Sequence, residues 1–94
     1  MVAVVGSQEL AEARRHRLAS LIFELEARRL SCRLAGTGDL VLRVANEATR
    51  RQAMVVAMQT GGTWSYLWTG GGLADAENPA HAAELITRLL GPAS

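Results

Sequence analysis

The chain has 94 residues, a formal net charge of +1 and 49% hydrophobic residues. This length predicts one domain spanning residues 1–94 around one hydrophobic core, with flexible tails at residues 1–6 and 92–94. The near-zero net charge argues against the long-range attraction that draws proteins to nucleic acids or anionic membranes. We therefore expect neither nucleic acid nor membrane as a partner.

The cysteine content and the hydropathy pattern predict a soluble, cytoplasmic protein. Cys32 is the only cysteine, which excludes an intramolecular disulfide framework and is typical of a reducing compartment. Residues 1–6 are apolar but too few for the core of a signal peptide. Every uninterrupted apolar run is far shorter than the ~20 residues that a membrane-spanning helix needs.

An amphipathic helix is predicted over residues 7–30. Ser7 is a suitable N-cap, and the carboxylate of Glu9 in the first turn interacts favourably with the helix dipole. Aliphatic side chains recur at three- and four-residue spacing, which is the period of one helix face. They are Leu10, Leu18, Leu21, Ile22 and Leu25.

Four β-strands are predicted after this helix, because apolar and polar residues alternate there. The last two strands flank Gly61 and Gly62, and paired glycines are typical of a two-residue hairpin turn because they accept positive φ angles. The predicted strands cover residues 31–35, 39–45, 50–60 and 63–69.

A second helix is predicted to begin at Asn78 and Pro79 and to end at Gly91 and Pro92. The glycines at residues 70–72 are predicted to form a flexible connector between the last strand and this helix. The sequence therefore predicts an α+β fold in the order α-β-β-β-β-α. In this fold a four-stranded antiparallel meander has the N- and C-terminal helices packed on one face.

One face of the predicted sheet is expected to form the core beneath both helices. The lengths of the turns assign each side chain to a face, because a shift of one residue moves every side chain to the opposite face. A two-residue turn at residues 61–62 sets three aromatic side chains opposite small residues of the preceding strand, an arrangement that packs well. The predicted core face holds Cys32, Leu34, Leu40, Leu42, Val44, Ala53, Val55, Ala57, Trp64, Tyr66 and Trp68.

The opposite face has an apolar centre bordered by arginines, a pattern that is typical of contact surfaces. We therefore predict a non-enzymatic protein-interaction or accessory module. It would bind itself or another protein through this face, as a homodimer or an adaptor. The candidate partner-binding residues are Val41, Arg43, Met54, Val56, Met58, Leu67, Arg33 and Arg50.

The alternative is a carrier of a small molecule or cofactor, with a pocket between the helices and the sheet. The pocket would involve the glycine loop at residues 70–72, and its ligand-binding residues would be Trp64, Tyr66 and Trp68, because aromatic rings stack on flat ligands. Thermal stabilisation by a metabolite would indicate this alternative.

No set of residues predicts catalysis, a metal site or a bound cofactor. We find no nucleophile, base and acid that converge, and so predict no catalytic residues. His16 and His81 lie on different predicted helices, and neither has a second ligand at metal-binding spacing. The glycines at residues 70–72 lack the helix start and the Gly-Lys-Ser/Thr motif that a phosphate-binding loop requires.

Two segments carry a resemblance to a known group of proteins. The sequence LRVAN at residues 42–46 and WSYLW at residues 64–68 precede an Ala/Leu-rich final helix. This pattern resembles small uncharacterised actinobacterial proteins of similar length, and the resemblance covers most of the chain from Leu30 onward. It implies neither an activity nor site residues.

The helix–meander–helix order also resembles frataxin and type III secretion chaperones. The acidic ridge of frataxin is absent here, because Glu9 and Glu12 are interleaved with arginines. The likeness therefore concerns architecture alone, and architecture does not carry function.

Overall fold

A computed structural model describes residues 2–91; Met1 and the predicted flexible tail at residues 92–94 lie outside the described residues. The helices are α1 (Val2–Ala27) and α2 (Pro79–Leu90). The strands are β1 (Ser31–Ala35), β2 (Val41–Asn46), β3 (Arg51–Thr60), β4 (Thr63–Trp68) and β5 (Gly72–Asp75), with one 3₁₀ turn at Thr37–Asp39.

The strands form one antiparallel sheet of five strands in the order β1-β2-β3-β4-β5. The predicted α+β class, with two helices and an antiparallel meander, is confirmed. The prediction of four strands was wrong, because residues 70–72 do not form a flexible connector. Gly70 and Gly71 take positive φ angles of 97° and 86°, and the chain turns back to pair β5 with β4.

Gly72 fixes the start of β5. It pairs with Trp68 of β4, and a Cβ atom at Gly72 would overlap the Trp68 indole ring. Only glycine lets the ring lie this close to the neighbouring strand. Beyond β5, the amide of Ala76 donates to the carbonyl of Trp64 over 2.9 Å, which holds the chain against β4 until α2 begins.

Helix α1 begins at Val2, not at the predicted cap Ser7, so residues 2–6 of the predicted N-terminal tail are helical. No proline interrupts residues 2–6, so the helix can extend through Ser7. The chain leaves α1 through Arg29, whose φ of 65° lies in the left-handed region. The amide of Leu30 donates to the carbonyl of Leu25 over 3.1 Å, a bond typical of helix C-termini.

Helix α2 begins where the sequence predicts. Asn78 is its N-cap, and its side-chain oxygen accepts from the amide of His81 over 3.1 Å. At the other end, the hydroxyl of Thr49 donates to the carbonyl of Leu90 over 2.7 Å. The guanidinium of Arg51 donates to the carbonyl of Gly91 over 3.1 Å. These two bonds hold the end of α2 against the β2–β3 turn and the first residue of β3.

The β3–β4 register is the predicted one, with Tyr66 opposite Ala57. The other two hairpins differ from the prediction. The β1–β2 loop has five residues rather than three, so that Ala35 pairs with Val41 and Leu40 lies outside the strands. The β2–β3 register is also displaced by two residues. Both displacements are even, and therefore every strand side chain stays on its predicted face.

Both helices pack on the aromatic face of the sheet, as predicted. Trp64 is 7% exposed and Tyr66 is fully buried, whereas Leu34, at the margin of this face, is 37% exposed. One cluster joins the helices to the sheet. Its largest fully buried side chains are Tyr66, Leu18, Leu21, Leu25, Leu42, Ile86, Leu90, Val44 and Val55.

Candidate interaction surface

The sheet face opposite the helices, here called the open face, carries an apolar row that crosses all five strands. Leu67 pairs with Val56 on one side and with Leu73 on the other. The β2–β3 register sets Val41 opposite Val56, and Val41 pairs with Ala35. From edge to edge, the apolar row consists of Ala35, Val41, Val56, Leu67 and Leu73.

Two methionines flank the centre of the apolar row. Met54 and Met58 lie on β3, two residues to either side of Val56, and they are 44% and 43% exposed. Leu73, at the end of the row, is 62% exposed. Methionine side chains are flexible and adapt to irregular surfaces. The structure therefore brings together the predicted apolar residues and adds Ala35 and Leu73, which the sequence interpretation did not include.

Two arginines form a basic corner of the open face. Arg33 and Arg43 are cross-strand partners, and Arg43 also pairs with Met54. They lie one register step, which is two residues along each strand, from the apolar row. They border a shallow depression of about 370 Å³. Both are exposed, and within residues 9–91 neither forms an ion pair. Glu47 also borders this depression, but its Oε1 atom accepts from the Ser31 hydroxyl over 3.1 Å and it pairs with neither arginine. Like charges directly opposite each other repel, so a further carboxylate between the two arginines would be favourable.

Arg50, the third arginine predicted to border this face, lies elsewhere. It is in the turn between β2 and β3, immediately before β3 begins. Its φ of 64° is left-handed, and its amide donates to the carbonyl of Asn46 over 2.7 Å. The structure therefore does not bring Arg50 to the basic corner.

Asp75 forms an acidic corner at the opposite edge of the open face. It pairs with Ser65 and lies one register step from the apolar row, on the side away from the arginines. Its side chain is exposed, and its Oδ1 atom accepts from the amide of Glu77 over 2.8 Å. The sequence interpretation missed Asp75, because β5 was not recognised as a strand.

The three candidate aromatic residues lie on the helix-covered face. The Tyr66 hydroxyl donates to the carbonyl of Arg17 on α1. Burial raises the pKa of Tyr66 to about 12, against an opposing effect of the Arg17 charge. The Arg17 guanidinium lies 5.9 Å from the centroid of the Trp64 ring, and Trp68 is half-buried. These side chains fill space between the helices and the sheet, where the carrier alternative would have its ligand.

Cys32 is half-buried on the helix-covered face. Burial, with a smaller effect of the nearby Glu26 carboxylate, raises the pKa of the Cys32 thiol to about 11. The thiol is therefore protonated at neutral pH and a weak nucleophile. Among the described residues, no group of three or more His, Cys, Asp or Glu side chains is arranged to hold a metal ion. None of the helices in the described part of the chain has the length and apolarity to span a bilayer.

No protein-family model, curated protein or solved structure matches the chain. The resemblance to small actinobacterial proteins stays a prediction. The function must therefore be inferred from the residues of the chain itself. The open face is the surface that combines exposed apolar side chains with charges of both signs.

Proposed function

We propose that the protein is a non-enzymatic interaction module that forms a homodimer through its open face. The observation that supports this most strongly is the apolar row. A solvated sheet face usually carries polar side chains, yet the middle of this face is apolar across all five strands. Covering such a surface removes apolar area from water, which favours association by roughly 25 cal/mol for each Å² buried.

The dimensions of the open face indicate a dimer of modest affinity. Strands spaced ~4.8 Å apart and rows ~6.8 Å apart give the central three rows a footprint of roughly 500 Å² on each copy. Specific interfaces typically bury about 800 Å² on each partner. We therefore expect a micromolar rather than a nanomolar dissociation constant, with the exposed methionines filling gaps between the two sheets.

A second copy of the chain is the favoured occupant, because the open face contains both signs of charge. Arg33 and Arg43 form the basic corner, and Asp75 forms the acidic corner. A surface with opposite charges at opposite edges can complement itself, and complementary charges favour the matching partner over others. A different protein binding the same face would be the adaptor form of this function.

The test compares two of the exposed apolar side chains in sedimentation equilibrium. Leu73 is 62% exposed on the open face, and Phe23 is 72% exposed on α1 in the helix layer. We expect the wild-type chain to dimerise with rising concentration and Leu73→Lys to weaken the dimer at least about tenfold, because an ammonium group is then desolvated without a partner. Phe23→Lys, the matched control, should dimerise like the wild-type chain.

Two results would contradict this function. One is a wild-type chain that stays monomeric up to millimolar concentration. The other is a reversal of the two variants, in which Phe23→Lys dissociates the dimer and Leu73→Lys does not.

A further inference from the structure

The charged corners of the open face lie on a diagonal whose midpoint is Val56. Arg33 is on β1, one register step to one side of the apolar row. Asp75 is on β5, one register step to the other side. Val56 belongs to the apolar row on β3, the central strand of the five. The two charges are therefore equally distant from Val56 and lie in opposite directions from it.

We propose, on the basis of the function proposed above, that the two sheets of the dimer cross and that Arg33 of each copy pairs with Asp75 of the other. A two-fold axis that lies in the plane between two packed faces sets each residue of one copy over the position on the other copy that is its reflection across the axis. If that line passes through Val56 at right angles to the Arg33–Asp75 diagonal, it brings each arginine onto the aspartate of the second copy. One symmetry operator thus forms two identical ion pairs, as an isologous interface requires.

The register fixes the crossing angle of the strands. With strands ~4.8 Å apart and rows ~6.8 Å apart, the diagonal runs about 19 Å across the strands and about 14 Å along them. A two-fold axis at right angles to this diagonal makes the strands of the two sheets cross at roughly 70°, near the orthogonal class of sheet packing. In the aligned class the same corners would not meet, because an axis parallel to the strands leaves Arg33 and Asp75 on opposite sides of the apolar row.

The crossed arrangement relieves the repulsion between the two arginines of the basic corner. Arg33 and Arg43 face each other across β1 and β2, and in the crossed dimer Arg43 also falls beside Leu73 and Asp75 of the second copy. A carboxylate between two guanidinium groups removes their mutual repulsion and accepts charge-assisted hydrogen bonds from both. Ion pairs at the rim of an interface select orientation and partner more than they add affinity. The apolar row accordingly supplies most of the affinity, and the charged corners set the angle.

Charge exchange between two variants tests the arrangement. We expect Arg33→Glu and Asp75→Arg to dimerise at least tenfold more weakly than the wild-type chain, because each change makes both ion pairs repulsive. An equimolar mixture of the two variants should form a heterodimer that native mass spectrometry resolves by mass, because both ion pairs are then attractive. The chain carrying both changes should recover a homodimer for the same reason.

The controls separate this inference from the function on which it rests. Arg15→Glu makes the same charge change on α1 and should dimerise like the wild-type chain, and thermal melts verify that each variant is folded. If Leu73→Lys dissociates the dimer but the mixture forms no heterodimer, the crossed arrangement is wrong and the proposed function stands. A wild-type chain that does not dimerise would overturn both.

Discussion

Tyr66→Ala is expected to destabilise the protein by about 3–5 kcal/mol, because it deletes a buried aromatic side chain and leaves a cavity. Tyr66 is completely buried between the sheet and the helices, with a relative accessibility of 0%. Its hydroxyl donates to the carbonyl of Arg17 on α1. A domain of this length has a stability of roughly 5–14 kcal/mol. The variant should therefore lose a large part of its stability, which urea denaturation followed by circular dichroism measures.

The matched control is Tyr66→Phe, which keeps the ring and removes the hydroxyl. The lost hydrogen bond should cost about 1 kcal/mol, so this variant should unfold between the wild-type chain and Tyr66→Ala. A Tyr66→Ala variant that unfolds like the wild-type chain would mean that α1 does not pack on the aromatic face.

Val56→Glu is expected to abolish dimerisation while the chain stays folded. Val56 is half-buried at the centre of the open face, between two exposed methionines and on the opposite side of the sheet from the core. The two-fold axis brings the carboxylates of the two copies together, where burial without a partner is strongly unfavourable. We expect the dimer to weaken by about a hundredfold or more, whereas the loss of β propensity changes the free energy of unfolding by about 1 kcal/mol or less. Light scattering and a thermal melt measure the two effects separately.

Phe23→Glu is the control for this change, because Phe23 is 72% exposed on α1 in the helix layer. It introduces the same carboxylate away from the open face and should leave dimerisation unchanged. The assignment of the two sheet faces would be inverted if Val56→Glu unfolded the chain while Tyr66→Ala remained stable and lost its partner.

The central hairpin illustrates what can be predicted from this sequence. Gly61 and Gly62 specify a two-residue turn, and this turn alone sets Tyr66 opposite Ala57. The pairing of β1 with β2 and the pairing of β2 with β3 each differ from the prediction by two residues. Because side chains alternate between faces, an even displacement changes the pairing and keeps the face. The separation into a core face and an open face is therefore insensitive to these errors.

Strand β5 illustrates what local sequence cannot reveal. Its four residues, Gly72–Asp75, include glycine and aspartate, which are rare in strands. The strand forms because the chain pairs with β4 and because Trp68 lies against Gly72, and both are tertiary contacts. Missing this strand hid Leu73 and Asp75. Without Leu73 the predicted apolar row stops at β4, and without Asp75 the predicted open face carries only positive charge at its margin. The sequence interpretation therefore could not identify a self-complementary face.

The most direct test of the open face as the association surface is methyl NMR of Met54 and Met58 during dilution. Both side chains lie beside the centre of the apolar row and are 44% and 43% exposed in the single chain. We predict that their methyl signals shift together as the protein dissociates, following the same dissociation constant that sedimentation gives, and that in Val56→Glu both signals stay constant over the same dilution. Methyl signals that stay constant while the protein goes from dimer to monomer would show that another surface makes the contact.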